Sequence, residues 1–282
     1  ISSSILNAIA NIRLLILMKK IDMRQVKRVF IGDYRSFHMR LFFNYFFFSE
    51  SFCLEDGSID IHILNSILLK KDLYGFIGLK GVVKSAFYKL QLKALRLDKL
   101  DVDRNIGMFS STLSTNEKIE VIQHNYEYLR LVAQDGATCA GDPLDIVYIY
   151  GTPMHLIGFS LKVELIYIKN MVEYYSDLNC DIVYIAHRRD SRKKLKALSG
   201  WSSVSVVINE FPAEMQMIIN PCKPSHIASI FSSALFSMLK VYNFKSSTLF
   251  TFEVELLNKK FQEEYRAIIN FYKGKVKMVR LK

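Results

Sequence analysis

Along the second half of the chain, apolar positions recur first at every other residue and then at helical spacing, and this change of period repeats several times. Residues 145–150 alternate as a strand and are closed by Gly151, Thr152 and Pro153; a long amphipathic stretch over about 160–176 predicts a helix. Asp181–Ala186 predicts the next strand, with His187 at its C-terminal edge and a basic helix from Ser191 onward. Val204–Ile208 repeats the design, running into Asn209, Glu210 and Phe211 and then a helix opened by Pro212. Residues 224–230 predict a short strand and Ser232 with Ser233 the start of the following helix; a strand over 248–254 and a helix over 258–271 complete the series. The first half reads less sharply. Strands are predicted over 26–31, Glu50–Leu54 and 105–109, and helices over 2–18, 35–46, 61–70, 81–96 and 116–134. Because the chain opens on Ile1 and runs straight into a helix, an initial strand is expected to precede it.

Strands alternating with helices imply an α/β fold with parallel sheets. Gly136, Gly141 and Pro143 interrupt the pattern and divide it into two Rossmann-like domains facing a cleft, residues 1–140 and 141–282. Parallel sheets of this kind take ligands beyond the carboxyl ends of their strands, where Gly151, His187, Glu210 and Ser232 all fall.

With 50% hydrophobic and 23% charged residues, the 282-residue chain can bury a sizeable core and is not a disordered one. Its formal charge of +11 favours an anionic partner: nucleic acid, an acidic membrane surface, or a phosphorylated or sialylated substrate. No zinc finger, RRM signature or compact basic motif supports the first of these, so nucleic acid is not the expected partner. Cys53, Cys139, Cys180 and Cys222 contain no CxxC pair and read as buried thiols. The longest apolar runs, 14–18 and 41–48, fall well short of the roughly 20 residues that span a bilayer, and no signal peptide is recognisable, so a cytoplasmic location is expected.

Three short pieces carry candidate chemistry. Glu55 and Asp56 before Gly57 pair two carboxylates, one of which can act as a base while the glycine leaves room for an acceptor; the plainer reading is an acidic surface turn. His187, followed by Arg188 and Arg189, can give a proton or a hydrogen bond to a leaving phosphate, or simply be an incidental histidine at a solvated helix start. Ser232 and Ser233 can bind that phosphate with hydroxyls and helix amides, or serve only as an N-cap. Glu210, placed after a strand of the second domain, resembles a position suited to the ribose hydroxyls of a nucleotide, with a core or capping role as the alternative. Asp101-Val102-Asp103 has the spelling of a metal-binding DxD but lies in a charged segment away from the strand ends, so no metal is expected. The aromatic run over 42–48 reads as packing, and the basic residues of 265–282 as either a contact for anionic lipid or a solvated terminus.

Taken in order, Glu55-Asp56-Gly57, His187-Arg188-Arg189-Asp190 and Ser232-Ser233 resemble the acidic-acidic-Gly, His-Pro and Ser-Ser motifs of the bacterial sialyltransferases and polysialyltransferases of capsule and lipooligosaccharide or O-antigen synthesis. The resemblance implies an inverting, metal-independent glycosyltransferase of the GT-B type with CMP-sialic acid as donor and a galactose-containing or sialylated acceptor. By it the base is Glu55 or Asp56, His187 meets the leaving phosphate, and Ser232 and Ser233 bind it. It further implies a glycan or lipid-linked acceptor, peripheral contact with the inner membrane, and compatibility with a homodimer. A transferase using another CMP-activated acid sugar such as Kdo is the nearest alternative, and a basic nucleic-acid-binding protein the alternative from another class. One position departs from the pattern: Arg188 stands where the family has proline.

Overall fold

The computed structural model describes residues 13, 16–17, 20, 27–32, 39, 50–54, 107–110, 120–135, 145–219, 223–232 and 234–281. Glu55, Asp56, Gly57, Ser233, Asp101, Asp103, Cys139, Cys222 and the helices expected over 61–70 and 81–96 lie outside the described residues. Two compact units divide the chain, Ile1–His124 and Asn125–Lys282.

In the first unit, β1 (Arg28–Ile31), β2 (Glu50–Leu54), β3 (Gly107–Ser110) and β4 (Val121–Gln123) form a parallel sheet in simple sequence order. Ile31, Phe52, Cys53 and Val121 are buried, and Phe30 stacks on Phe52 at 5.6 Å. The strand expected over Glu50–Leu54 is present with those bounds, and it ends on the residue before Glu55. The helix expected over 116–134 is instead β4 followed by α1 (Glu127–Asp135). Tyr126 has a left-handed φ of 54°, which no helix interior tolerates, and its carbonyl accepts the first helical bond from Arg130 at 2.9 Å.

The second unit is an α/β sandwich. Its strands β5 (Ile146–Tyr150), β6 (Asp181–Ala186), β7 (Val204–Ile208), β8 (His226–Ser229), β9 (Ser246–Thr251) and β10 (Lys277–Arg280) are all parallel, in the spatial order β10-β9-β8-β5-β6-β7. Counted from β5, this is the doubly wound Rossmann order, in which the chain reverses direction between its first and fourth strands. Here those are β5 and β8. The helices are α2 (Leu161–Ser176), α3 (Arg192–Ser199), α4 (Ala213–Ile219), α5 (Ala234–Val241) and α6 (Lys259–Tyr272).

Strand alternation sends side chains to two cores. Val147, Ile149, Ile182, Tyr184, Ala228 and Phe250 pack with Tyr167, Ile168, Met171 and Tyr175 of α2 and Leu198 of α3. Tyr150, Ile185, Ile227 and Leu249 face the other way, toward Ala133 of α1, Met217 of α4 and Leu235 and Met238 of α5. Helix α6 serves both layers, Tyr265 in the first and Ile268 with Tyr272 in the second.

The terminal segment is not a loose tail. Tyr265, Tyr272 and Leu281 are buried, and β10 pairs with β9 as the outer strand of the sheet while Lys277 and Arg280 stay exposed. Charged side chains on an outer strand keep it from pairing with another chain. Among the described residues, no helix is long and apolar enough to cross a membrane.

Candidate functional site

The switch point between β5 and β8 opens into a pocket of about 460 Å³ at the carboxyl ends of β5 to β8. Gly151, His187, Arg188, Glu210 and Ser232 all line it, so five of the residues singled out by the sequence meet in one place.

Gly151 follows β5, its N–H donating to the Ile185 carbonyl at 2.8 Å. A β-carbon there would lie 2.5 Å from the Tyr184 hydroxyl, 2.7 Å from Asp190 Oδ2 and 3.0 Å from the His187 nitrogen. Only glycine lets the two strand exits approach this closely.

His187 opens a tight turn. The Asp190 N–H donates to the His187 carbonyl at 2.8 Å, and the His187 N–H donates back to Asp190 Oδ2 at 2.9 Å. Within the turn, the Arg189 N–H donates to His187 Nδ1 at 3.0 Å. An accepting Nδ1 places the proton of a neutral ring on Nε2. Burial lowers the His187 pKa from its ordinary value; Asp190 pulls it upward, while Arg188, Arg189 and Lys194 lower it further. At neutral pH the site therefore offers a neutral Nε2–H donor flanked by the exposed guanidinium of Arg188. Arg188 occupies the second position of the turn, a place that elsewhere favours proline.

Ser232 lies in the short link between β8 and α5. Its hydroxyl accepts from the Ala234 N–H at 3.3 Å, a capping role, and keeps its own proton as a donor. The link is fixed from beneath by Ser229, a residue that sequence reading missed. The buried Ser229 hydroxyl donates to the Tyr150 carbonyl at 3.3 Å and accepts from the N–H groups of Phe231 and Ser232 at 3.2 and 3.0 Å, stapling the exits of β5 and β8 together.

Two carboxylates also line the pocket. Glu210 is exposed in the loop after β7, and Glu214, in the first turn of α4, accepts from the Ser237 hydroxyl. Between them Phe211 and Pro212 supply apolar surface, and the buried Oδ1 of Asn209 has no hydrogen-bond partner. The pocket thus combines two kinds of group: glycine, a serine link, an imidazole N–H and a guanidinium suit an anionic group, and the carboxylates suit hydroxyl or amino donors.

Beneath the pocket lies a buried ionic cluster that the sequence reading also missed. Lys194 of α3, read as part of a solvated basic helix, has a side chain only 1% exposed and donates to Glu164 Oε1 at 2.5 Å, Asp190 Oδ1 at 2.8 Å and the Thr152 carbonyl at 2.9 Å. The signal was available in α2. Glu164 falls on the stripe of Tyr167, Ile168, Met171 and Tyr175, an acid at a core-facing position that needs a buried cation.

The other titratable cluster sits at the amino ends of the strands, far along β8 from the pocket: His226 Nδ1 lies 2.6 Å from the Ser246 hydroxyl and its Nε2 3.8 Å from Asp145, which pairs with Lys245. Among the described residues, no group of three His, Cys, Asp or Glu side chains could hold a metal ion. No protein-family model matches the chain, and no curated protein matches it.

Proposed function

We propose that the chain is an inverting GT-B glycosyltransferase that transfers sialic acid from CMP-sialic acid to a galactose-containing or sialylated acceptor in bacterial surface-glycan synthesis. The observation that carries this reading is the pocket at the switch point, which brings Gly151, His187, Arg188, Glu210 and Ser232 together at the carboxyl ends of a Rossmann-ordered sheet. A nucleoside monophosphate has matching groups, with an anionic group for His187, Arg188 and Ser232 and ribose hydroxyls for Glu210.

In this reading Glu55 or Asp56 removes the proton of the acceptor hydroxyl. The hydroxyl oxygen then bonds to the anomeric carbon from the face opposite the leaving group, inverting its configuration. The bond from that carbon to the phosphate oxygen breaks, and its electron pair leaves with CMP. His187 Nε2–H, flanked by Arg188, stabilises the charge that appears on the departing phosphate. Gly57 gives the acceptor room, and Ser233 joins Ser232 on the phosphate. A monophosphate carries less charge than a diphosphate, so these donors suffice and turnover is expected to persist in a chelator. In this reading the enzyme works at the cytoplasmic face of the inner membrane.

CMP release from CMP-sialic acid with a galactoside acceptor tests the reading, comparing the parent with Asp56→Ala and His187→Ala. Release coupled to a sialylated product, lost in both variants, supports it. Release from CMP-Kdo but not from CMP-sialic acid moves the donor to the other acid sugar, and a chain that neither binds nor releases CMP ends the proposal.

A further inference from the structure

The turn that carries His187 is held by charges that never reach the pocket. Asp190 Oδ2 accepts from the His187 N–H at 2.9 Å and from the Tyr184 hydroxyl at 3.0 Å, while Oδ1 accepts from Lys194 Nζ at 2.8 Å. Lys194 spends its remaining donors on Glu164 and on the Thr152 carbonyl, so all three N–H groups are used. Glu164 accepts in addition from the Met154 N–H at 3.2 Å. The cluster therefore grips the segment after β5, the end of β6, the turn after β6, and both α2 and α3.

An apolar filling would serve stability as well as a buried ionic cluster does, because taking charges out of water is costly. What an apolar filling cannot do is aim a backbone N–H. Here the aimed group is the His187 nitrogen, and the consequence passes around the turn: with residues 187 and 190 tied twice, the Arg189 N–H is held against His187 Nδ1. We propose that Asp190, locked by Lys194 and Tyr184, is a positioning residue for His187 that fixes the turn and so keeps the imidazole in its Nε2–H tautomer facing the pocket. This rests on the transferase reading for its catalytic meaning. Every charged group acting on the ring is accounted for: Asp190 favours protonation, whereas Arg188, Arg189 and Lys194 oppose it.

The experiment is long-range proton–nitrogen NMR of the His187 ring in the full chain, with kinetics of CMP release, for the parent, Asp190→Asn and Tyr184→Phe. The parent is expected to show Nδ1 as the unprotonated nitrogen. Asp190→Asn should populate the other tautomer, move the His187 titration midpoint down because the carboxylate that raises it is gone, and lower kcat about 10- to 100-fold with donor KM little changed. Tyr184→Phe, which removes one hydrogen bond to Oδ2 while keeping the charges and the ring, should shift tautomer and kcat in the same direction by less, and it decides the matter if Asp190→Asn does not fold. Folded variants that lose only melting temperature, with tautomer and kcat as in the parent, overturn the proposal, as does a changed tautomer with unchanged kcat. If the parent releases no CMP, the transferase reading fails while the ring spectra still decide whether Asp190 positions His187.

Discussion

Gly151 and Lys194 are two residues whose side chains, or lack of one, the local geometry constrains tightly. A methyl group at 151 meets the Tyr184 hydroxyl, the Asp190 carboxylate and the backbone of His187, all of them tied to one another, so nothing can give without opening the turn. Gly151→Ala is therefore expected to cost about 1–3 kcal/mol by denaturant unfolding and to weaken CMP binding, read by calorimetry. A loss of stability with full CMP affinity would separate the glycine from the pocket. Lys194 acts through charge. Replacing it with methionine keeps most of the volume but strands Glu164 and Asp190 in the interior, for an expected loss of about 3–5 kcal/mol. Exposed lysines of the same helix, Lys193 and Lys196, are the control: their replacement should change stability by less than about 0.5 kcal/mol. Periodicity within α3 puts Lys194 on the face of the buried Leu198, and the acid that awaits it is marked only on α2, by Glu164 on the buried stripe.

At the scale of elements, the second unit was legible because its strands are short, β-branched and bounded by turn residues. Asp181–Ala186 and Val204–Ile208 appear with the expected bounds, and α2 starts at Leu161 with Ser160 accepting from the Val163 N–H as its cap. Three features were not legible, one of them β4, which lies inside the stretch expected as a helix. The strand β10 carries Lys277 and Arg280, and its composition reflects its outer position rather than strand propensity. The onset of α1 depends on the left-handed Tyr126, which no pattern of apolar residues announces. Convergence of the candidate site followed from strand ends alone. The staple joining them did not, because Ser229 is one serine among many until β5 and β8 are neighbours. Ser229→Ala removes a donor to Tyr150 and an acceptor for two part-buried N–H groups, an expected cost of about 1–3 kcal/mol. With the Ser232 link released, CMP affinity should fall more than in Ser246→Ala, whose hydroxyl lies at the other end of the sheet.

For the whole molecule, the acid side of neutrality is where folding should weaken, and the cause is separable from net charge. His187 and His226 both have folded pKa values lowered from 6.5, burial being the larger cause for each. Such a group binds its proton more readily unfolded than folded, so its contribution is fully present above the unfolded value and is lost as pH falls from 6.5 through the folded one. Asp145, lowered from 3.8 first by its hydrogen bond from Lys245, acts in the same sense at lower pH, its contribution disappearing as the carboxylate is protonated. Melting temperature should accordingly decline as pH falls from about 6.5, and the double variant His187→Gln, His226→Gln should flatten that decline. The charge of +11 grows on acidification and adds self-repulsion over the same interval. Salt distinguishes the two causes. Repulsion between exposed charges is screened over about 10 Å at 0.1 M ionic strength, whereas the cost of charging a half-buried imidazole is screened much less. A decline that vanishes in high salt would assign it to net charge, while one that persists in the parent and disappears in the double variant assigns it to the two histidines.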